Sequence, residues 1–314
     1  MRLLVTGGAG FIGSHVAEAA LAAGHEVAVL DDLSTGKRAN VPPAARFFEV
    51  DLRDGAAVAQ AVAEARPEVV SHQAAQASVA ISVREPVLDA RINVEGSLHL
   101  MAACVGNGVG RLIFASTGGA IYGEVPEGVR ADEDTLPRPL SPYACAKFAV
   151  ENYLACYRSE HGLASTVLRY ANVYGPRQDP HGEAGVVAIF ARRLIAGEPI
   201  QVNARREAGD DGCVRDYVHV DDVVRANLAA MAGEIAAPVL NVCTGVATDT
   251  RALAMRLHAH LGSRSELRDG PRRPGDVERS VLDPDRLHAA LGAGVPLADG
   301  LARTADWFRS EAAA

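Results

Sequence analysis

The chain has 314 residues, 48% hydrophobic and 22% charged, with a formal net charge of −8. This length allows one large domain or two packed ones with an ample core. The negative charge argues against a nucleic-acid-binding surface, which needs a basic patch, and no apolar run of the sequence approaches the roughly 20 residues that cross a membrane.

Short apolar runs alternate with helical patterns in the first half of the chain. Six runs predict buried strands, namely RLLVTG, EVAVLD, RFFEVD, EVVSHQ, RLIFAST and TVLRYANV. Ala-rich segments between them, such as residues 14–23 and 55–65, have helical periodicity. This alternation is typical of a parallel sheet with helices on both faces, so we expect an α/β fold with a doubly wound sheet of the Rossmann type.

The pattern loosens after about residue 172. The loop YGPRQDPHGEAG precedes the helical segment VVAIFARRLIAG, and the irregular stretch ARREAGDDGC precedes the strand-like VRDYVHV. A final helix is expected near Trp307. We predict one domain over residues 1–171, with a later contribution from about 214–243, and a smaller α/β domain formed mainly by residues 172–314.

Five cysteines are scattered along the chain without a CxxC pair: Cys104, Cys145, Cys156, Cys213 and Cys243. An odd number at this spacing predicts reduced thiols in a cytosolic protein rather than a disulfide framework or a zinc site. The opening MRLLVTGGAG already has the pattern of a strand and a glycine turn, which leaves no room for a signal peptide. We therefore expect a cytoplasmic protein.

Three glycines, Gly7, Gly10 and Gly13, directly follow the first predicted strand and open a helix. Glycines at this spacing permit a tight turn and let backbone N–H groups approach a pyrophosphate. The second strand ends at Asp31, where a carboxylate holds the ribose hydroxyls of adenosine. The pattern predicts a dinucleotide site in the first domain, and the charge of Asp31 favours NAD over NADP because it would repel a 2′-phosphate.

Asp51 follows the third predicted strand, at the position where the adenine ring would lie. A second interpretation stays equally open, in which Asp51 caps the helical segment that starts at Arg53.

The stretch SPYACAKFAVENY places Tyr143 four residues ahead of Lys147, on one face of a helix expected to start after Ser141 and Pro142. Lysine is rare here, since the 31 Lys and Arg residues include only two lysines. A phenol titrates near about pH 10 in water, and a nearby ammonium lowers its pKa. A compact ammonium can also bond ribose hydroxyls, whereas a larger planar guanidinium would not fit both duties.

With these motifs the chain resembles the extended short-chain dehydrogenase/reductase family, in particular its nucleotide-sugar branch. The resemblance continues through HQAAQ, FAST, LRYANVYGPRQ, VRDYVHVDDV and RPGD, and so spans nearly the whole chain. It implies that Tyr143 removes the 4-hydroxyl proton of a UDP-hexose while hydride leaves C4 for tightly bound NAD+. The 4-keto sugar then turns over and hydride returns to its opposite face, which interconverts UDP-galactose and UDP-glucose.

The resemblance also implies the site residues. The catalytic residues are Thr117, whose hydroxyl bonds the 4-oxygen of the sugar, Tyr143 and Lys147. The cofactor-binding residues are Gly7, Gly10, Phe11, Ile12, Gly13, Asp31, Asp32, Leu33, Ser34, Thr35, Gly36, Asp51, Leu52, Gln73, Ala74, Ala75, Gln76, Asn93, Ala115, Ser116, Tyr143, Lys147 and Tyr170. The substrate-binding residues are Thr117, Tyr143, Asn172, Gly185, Val186, Val187, Gln201, Asn203, Arg215, Tyr217, Arg273, Asp276 and Ser280.

Within that set, Asn172, Arg215, Arg273 and Asp276 should grip the uridine diphosphate, since paired arginines suit a pyrophosphate. One departure from the family is the loop NARREAGDDGCVRD, which is longer than usual and puts the contacts of residues 203–211 in doubt. No metal is expected, because the redox step needs none. His181 and Glu183, in DPHGEAG, are therefore not interpreted as a metal pair. We expect them to line the loop or to fold it over the nucleotide.

Two other enzyme activities and one non-catalytic function stay open. A nucleotide-sugar 4,6-dehydratase usually carries Asp-Glu directly after the catalytic threonine, and a UDP-glucuronate decarboxylase tends to keep a Glu in this stretch. Here Gly118 and Gly119 stand there. A non-catalytic NAD-sensing regulator is the third possibility, although such proteins typically lose the Tyr or the Lys.

Two further expectations come from the resemblance. Residues 87–103 and 144–157 should pair across a two-fold axis in a homodimer, unless their apolar faces only cover the sheet.

Ser280, seven residues beyond Arg273, should line the wall beside the sugar's C2 substituent. Its small side chain leaves space for an N-acetyl group, so UDP-GlcNAc and UDP-GalNAc are expected as additional substrates, unless other walls close the pocket.

Overall fold

A computed structural model describes residues 1–180, 185–273 and 276–313. The chain divides into two compact units, each built from several segments. The first unit comprises Met1–Thr117, Pro139–Arg169 and Val224–Leu240, and the second comprises Gly118–Arg138, Tyr170–Val223 and Asn241–Ala314.

Strands and helices alternate along the described residues. The strands are β1 (Arg2–Thr6), β2 (Glu26–Asp31), β3 (Arg46–Glu49), β4 (Val69–His72), β5 (Arg111–Thr117), β6 (Ala164–Tyr170), β7 (Asn172–Tyr174), β8 (Ile200–Asn203), β9 (Val214–His219), β10 (Val239–Val242), β11 (Ala247–Asp249), β12 (Leu267–Gly270) and β13 (Arg279–Ser280). The helices are α1 (Phe11–Ala22), α2 (Gly55–Ala65), α3 (Val79–Arg84), α4 (Pro86–Ala90), α5 (Gly96–Gly106), α6 (Gly118–Ile121), α7 (Pro142–His161), α8 (Val186–Ile195), α9 (Val220–Ala232), α10 (Thr250–Leu261), α11 (Asp285–Leu291) and α12 (Leu297–Ala313). A short 3-10 turn (Arg38–Asn40) and a π-helical turn (Arg91–Glu95) complete them.

Seven strands form one sheet in the order β10-β6-β5-β4-β1-β2-β3. The pairs β1–β2, β1–β4, β2–β3 and β4–β5 are parallel. The chain winds outward in one direction from β1 to β3 and in the other from β4 to β6, so the order reverses between β1 and β4. The predicted doubly wound α/β fold is confirmed. In such sheets, ligands bind beyond the carboxyl ends of the strands at this reversal.

Both faces of the sheet are buried. Leu4 on β1 and Phe114 on β5 pack in one core cluster with side chains of α2, α5 and α7. Leu3 and Val5 point to the opposite face because side chains alternate along a strand. They are 1% and 0% exposed, and α1 packs against their strand. Burial on both faces explains why the strands are near-continuous apolar runs rather than alternating ones.

The third strand differs from its prediction as a buried strand. β3 lies at the edge of the sheet, and Phe47 and Phe48 are only half-buried. The guanidinium of Arg38 lies 4.5 Å from the ring centroid of Phe47, and that of Arg46 lies 4.4 Å from Phe48. The arginines thus cover rings that the sheet leaves partly open, as cation–π contacts at exposed sites do.

The helix that carries the predicted catalytic pair has well-defined ends. The side chain of Ser141 accepts the N–H of Ala144 at 3.2 Å, and Pro142 occupies the first position, where no N–H is needed. Gly162, with a φ of +68°, ends the helix in the left-handed region. The helix thus starts at Pro142, one residue earlier than predicted, and α7 presents residues 143, 147 and 151 on one face.

The second unit is also α/β, as predicted. Its larger sheet has the order β11-β9-β13, with β7 also pairing with β9, and β8 pairs separately with β12. One core cluster joins Phe190 of α8, Leu253 of α10 and Leu301 of α12 to Ile200 of β8. Tyr217 of β9 packs in the same cluster. The strand β9, which carries Arg215, therefore lies between its sheet neighbours with one side chain anchored in this core.

Candidate active site

The loop between β1 and α1 is built from glycines because side chains would not fit. Gly7 has a φ of +69°, and a Cβ there would lie 2.6 Å from the amide nitrogen of Ala74. A Cβ on Gly13 would lie 2.1 Å from the carbonyl oxygen of Gly7. Both distances are far below van der Waals contact, so only glycine allows the turn, α1 and the loop after β4 to approach one another.

The N-terminus of α1 has no capping side chain among the described residues. Its N-cap is Gly10, in an extended conformation, and Phe11 and Ile12 are the first helical residues, both half-buried. The first N–H groups of a helix lack intrahelical partners and carry partial positive charge. This end therefore fits the pyrophosphate of a dinucleotide, as the glycine spacing predicts.

Asp31 ends β2 beside this turn and is 6% exposed. Its Oδ2 accepts the N–H of Ala9 at 2.9 Å, and its Oδ1 accepts the N–H of Leu33 at 2.9 Å. Burial raises the pKa of Asp31, while these two backbone bonds oppose the rise. A carboxylate has about four acceptor positions, so each oxygen retains capacity for a ribose hydroxyl.

The chain wraps tightly around that carboxylate after β2. Leu33 has a φ of +57°, which costs a non-glycine residue roughly 1–2 kcal/mol. A Cβ on Gly36 would lie 2.8 Å from Asp31 Oδ1. Asp32 Oδ1 accepts the N–H of Ser34 at 3.0 Å. The predicted cofactor residues of this stretch thus form one loop: Asp32, Leu33, Ser34, Thr35 and Gly36.

Asp51 follows β3 and is bound by its own neighbour. The Nε of Arg53 lies 3.0 and 2.9 Å from the two carboxylate oxygens. That side-chain bond is the main reason why the pKa of Asp51 is lowered. The N-cap of α2 is Asp54, which accepts the N–H of Ala57 at 3.0 Å. The interpretation of Asp51 as the helix cap is therefore wrong, and its place beside adenine, with the buried Leu52, stays a prediction.

The loop after β4 is held by a buried network. The N–H of Gln76 donates to Asn93 Oδ1 at 2.9 Å, and Asn93 Nδ2 donates to the carbonyl of Gln76 at 2.9 Å. Both side chains also donate to Asp89 Oδ1, at 2.8 and 2.9 Å. Asn93 lies in the π-helical turn, a feature frequent at functional sites. The network fixes the loop where the predicted cofactor residues lie.

The other predicted residues of this loop are held differently. Gln73 Nε2 donates to Ser71 Oγ at 2.9 Å and to Asn227 Oδ1 at 3.0 Å, so its amide is tied to β4 and α9. Ala74 and Ala75 are half-buried. Their small side chains allow the close approach of Gly7 described above.

His72, which ends β4, is a buried residue that sequence reasoning missed. Its Nδ1 lies 2.7 Å from Thr6 Oγ1, and its Nε2 lies 2.9 Å from Ser97 Oγ. Ser97 also donates to the carbonyl of Asn93, so it accepts from Nε2–H, and Nδ1 accepts the hydroxyl of Thr6; this tautomer is assigned from the network. Burial, and to a lesser extent the charge of Lys147, together lower the pKa of His72 to about 3. The only signal was a histidine inside an apolar strand.

Lys147 lies inside the first unit, 3% exposed. Its Nζ donates to the carbonyl oxygen of Ala115 at 2.9 Å. The same atom lies 6.0 Å from the ring centroid of Tyr143 and 4.8 Å from that of Phe114. Ala115 precedes Thr117 by two residues, so this bond ties the ammonium, and the tyrosine one turn away, to the strand end that carries Thr117.

Ser116 is tied to α7 as well. Its hydroxyl donates to Glu151, whose carboxylate also accepts from Nε and Nη2 of Arg169, the latter at 2.6 Å. Sequence reasoning assigned Ser116 to the cofactor and missed both charged partners. The available signals were Glu151 one turn beyond Lys147 and an arginine inside the strand TVLRYANV.

The remaining predicted binding residues belong to the second unit. Asn172 begins β7 and pairs in register with Tyr217 of β9. Among the described residues, its Oδ1 is buried without a hydrogen-bond partner. A buried polar atom of this kind is costly unless a ligand satisfies it. Tyr217 is 4% exposed and packs in the core of its unit, and Tyr170 is likewise buried.

Arg215 lies on β9, in register with Ser280 of β13. Its Nη1 donates to the carbonyl of Val214 at 2.9 Å. Ser280 is 1% exposed. The strand pairing brings these two predicted substrate residues together.

Arg273 lies against β8. With the Asn203 carboxamide oriented to give its oxygen to the guanidinium, that oxygen lies 2.6 Å from Nε and 2.9 Å from Nη2 of Arg273. In that orientation the Asn203 nitrogen faces the Gln201 carboxamide at 2.7 Å, and the N–H of Asp276 donates to the carbonyl of Arg273 at 3.4 Å. The structure therefore groups four predicted substrate residues, including Asn203 of the long loop.

The long loop is organised by one carboxylate. Asp210 accepts the backbone N–H groups of Arg205, Arg206, Glu207 and Gly212 at 2.8–3.1 Å. Burial alone would raise the pKa of Asp210, but these four bonds hold it well below its usual range. Asp210 thus organises a turn that begins after Asn203. The turn is also tied to the rest of the second unit, since Arg206 Nε donates to Glu278 at 2.7 Å and Arg251 Nη2 donates to the carbonyl of Asp210 at 3.0 Å.

The last predicted binding residues start α8. Gly185 is its N-cap, and a Cβ there would lie 2.6 Å from the side-chain carbon Cδ of Gln178. Val186 is half-buried and Val187 is buried. His181 and Glu183 lie outside the described residues.

The described parts of the chain show no sign of a metal centre. They contain no group of three or more His, Cys, Asp or Glu residues arranged to hold a metal. The five cysteines are free. Within the same ranges no helix is both long and apolar enough to cross a membrane.

Residues 3–243 match the NAD dependent epimerase/dehydratase family. The chain belongs to this family. A structure of UDP-glucose 4-epimerase from Thermus thermophilus in complex with NAD is 55% identical, with a TM-score of 0.94, over 98% of this chain and 99% of that one. The enzyme from Thermotoga maritima with UDP-glucose is 48% identical, with a TM-score of 0.94, over 99% and 100%. A UDP-glucose 4-epimerase of Mycolicibacterium smegmatis is 44% identical over 288 residues, 90% of each chain.

Family membership confirms the resemblance expected from the motifs. The glycine turn, the uncapped end of α1 and the buried Asp31 fit the NAD on which the family depends. The epimerase/dehydratase family covers two kinds of reaction, so the local chemistry around Thr117 has to distinguish them.

Proposed function

We propose that this chain is a UDP-glucose 4-epimerase, which interconverts UDP-galactose and UDP-glucose with tightly bound NAD. The observation that carries the proposal is the bond between Lys147 Nζ and the carbonyl of Ala115, with the Tyr143 ring beside it. It supports a proton-transfer group at the end of β5, and the relatives of similar length and fold support the substrate.

The residues of the chain divide the chemistry between them. NAD, when bound, supplies the acceptor for the hydrogen on C4 of the sugar. Tyr143 takes the proton of the 4-hydroxyl and later returns it, and the ammonium of Lys147 favours the phenolate form that this requires. Thr117 bonds the 4-oxygen and holds it toward Tyr143. The cycle is redox-neutral, so orientation supplies much of the rate enhancement.

The residues after Thr117 oppose the two rival activities. Elimination of water needs an acid and a base, yet Gly118 and Gly119 stand where a dehydratase would carry carboxylates. A Cβ on Gly119 would lie 3.1 Å from Asn172 Oδ1, so a larger residue would crowd a predicted substrate ligand. A purely NAD-sensing role would not require Thr117 and Tyr143 beside Lys147, since NAD binding alone calls on no proton-transfer group.

The substrate side of the proposal rests on the second unit. Arg215, Arg273 and Asn172 should bind the diphosphate, since guanidinium groups match phosphate geometry. The buried, unpartnered oxygen of the Asn172 carboxamide supports a ligand at this position. An amide presents its oxygen or its nitrogen to the same point by a simple flip.

The test is turnover by the purified protein with no NAD added. UDP-galactose should be converted to UDP-glucose until both sugars reach equilibrium, because the cofactor copurifies. Release of a 4-keto-6-deoxy sugar, or of carbon dioxide from UDP-glucuronate, would instead support a rival enzyme. No change in any of these substrates, with NAD bound, would support the regulator.

We also propose a homodimer in the cytosol. Val83 and Val87 of the first unit are 63% and 66% exposed, and Tyr153 on α7 is 42% exposed. Apolar side chains on the outer faces of neighbouring helices suit the four-helix contact of a symmetric dimer. Light scattering that reports a monomer mass at micromolar concentration would contradict this assembly. Free cysteines are consistent with a reducing compartment.

A further inference from the structure

The first unit contains a buried ion pair that the proposed reaction does not use. Arg169 on β6 and Glu151 on α7 have side chains that are 5% and 6% exposed. Nε of Arg169 lies 3.1 and 3.2 Å from the two carboxylate oxygens, and Nη2 lies 2.6 Å from Oε2. The hydroxyl of Ser116 donates to Oε1 of the same carboxylate. Glu151 is therefore bonded to two neighbouring strands at once.

Two side chains, one helical turn apart on the same side of α7, are each hydrogen-bonded to the end of β5. Lys147 binds the carbonyl of Ala115, and Glu151, one turn later, binds the side chain of Ser116. The next residue of β5 is Thr117, and one turn before Lys147 on the helix is Tyr143. Residues four apart on a helix share a face. The two successive attachments thus set both the axial position of α7 and its rotation against the end of β5.

Stability alone does not account for such a pair. Removing two charges from water costs several kcal/mol per ion, and apolar side chains of similar volume often leave a protein equally stable or more stable. A geometric role fits better, because a carboxylate that must satisfy a guanidinium and a hydroxyl tolerates little movement. Misplacement of a reacting group by about 1 Å can cost roughly a hundredfold in rate.

We propose that Glu151, held by Arg169, is a positioning residue that aligns Tyr143 and Lys147 with Thr117 through Ser116. The proposal rests on the assigned epimerase activity for its kinetic readout. It assigns no contact of Glu151 with substrate or cofactor. Its effect is transmitted by α7, which carries the catalytic pair, and by β5, which carries Thr117.

The test replaces the pair by apolar side chains of similar length, Glu151→Met with Arg169→Met. The substitution removes one charge of each sign, so the local net charge is unchanged. We expect the melting temperature to be retained or raised, bound NAD to be retained, and KM for UDP-galactose to stay within about twofold. We expect kcat to fall by roughly 10- to 100-fold, because only the alignment is lost.

A second readout does not depend on the substrate. The phenolate absorbance of Tyr143 is obtained by subtracting the spectrum of the matching Tyr143→Phe protein during a pH titration. In the double variant the phenolate should form at a higher pH than in wild type, because a displaced α7 draws Lys147 away from the carbonyl of Ala115 that orients its ammonium near the ring. If wild type proves inactive on UDP-galactose, the proposed function fails, yet this titration still tests the alignment.

The matched control is Glu133→Gln in the second unit. The side chain of Glu133 is 3% exposed, accepts the N–H of Asn241 at 2.8 Å and pairs with Arg286. Its loss should reduce stability and leave both kcat and the Tyr143 titration unchanged. Should the double variant fail to fold, Glu151→Gln, which keeps the shape of the side chain, provides the same comparison. A folded Glu151 variant with kcat within twofold of wild type, or with an unmoved titration, overturns the proposal.

Discussion

The Nζ of Lys147 donates a 2.9 Å hydrogen bond to the main-chain oxygen of Ala115, inside a site where the lysine is 3% exposed. The chain contains one other lysine, Lys37, which is exposed. An ammonium is compact and can point its remaining donors elsewhere. A guanidinium has five donors in a fixed plane, and most of them would lack partners in this buried space. The bond therefore explains why a chain rich in arginine carries lysine at this position.

Lys147→Arg should keep the fold and lose at least about a hundredfold in kcat, since a misplaced charge no longer supports the tyrosine. Lys37→Arg is the matched control and should have wild-type kinetics. The measurement is initial-rate conversion of UDP-galactose, with the nucleotide content of each protein determined after denaturation. An arginine variant with nearly normal turnover would refute the role assigned to the ammonium.

Stability should fall in acid because of His72. Its pKa is about 3 in the folded protein and about 6.5 in an unfolded chain. Between these pH values the unfolded state binds a proton at His72 and the folded state does not. The free energy of unfolding is therefore unaffected by protonation of His72 above about pH 6.5 and decreases as the pH falls toward 3. The loss from this group approaches about 1.4 kcal/mol per pH unit within that window.

The check is a series of urea unfolding curves at several pH values for wild type and His72→Asn. The free energy of unfolding should depend less steeply on pH in the variant between about pH 6 and 4. His161→Asn, at an exposed position at the end of α7, should keep the wild-type slope. Equal slopes for wild type and His72→Asn would contradict the buried neutral histidine.

Local patterns predicted the elements of the first unit because their information lies close together in the chain. The glycine turn, Asp31 and the start of α7 depend on neighbouring residues. The partners of buried polar groups are far apart in sequence, and nothing local specifies them. Ser116 and Glu151 are 35 residues apart, and Thr6 and His72 are 66 apart.

Two other differences have the same physical origin. An apolar run such as RFFEVD reports strand propensity and leaves open whether the strand lies at the sheet edge, which depends on the order of all the strands. The loop around Asp210 departs from the family pattern, so neither resemblance nor periodicity described it. Its carboxylate collects backbone N–H groups within the loop itself, as short acidic side chains commonly do in turns.

The range of UDP-sugars that the protein accepts is expected to depend on Ser280. If its small side chain leaves space beside C2 of the sugar, wild type should interconvert UDP-GlcNAc and UDP-GalNAc as well as the plain hexoses. Ser280→Tyr should then lose the N-acetylated activity by at least about tenfold more than the activity on UDP-galactose. Both activities are measured for both proteins, with Ser280→Ala as the control that adds no bulk. Equal losses of activity on the two substrate classes would show that other residues of the pocket decide whether N-acetylated sugars are accepted.

The most direct test of the central claim follows the hydrogen on C4 of the sugar. UDP-galactose that carries deuterium at C4 is incubated with the purified protein in ordinary water, and the UDP-glucose formed is analysed by mass spectrometry and NMR. If Tyr143 moves only the hydroxyl proton and the C4 hydrogen leaves and returns without meeting solvent, the product will retain its deuterium at C4. Loss of the label to water, or its appearance at C6, would contradict the account.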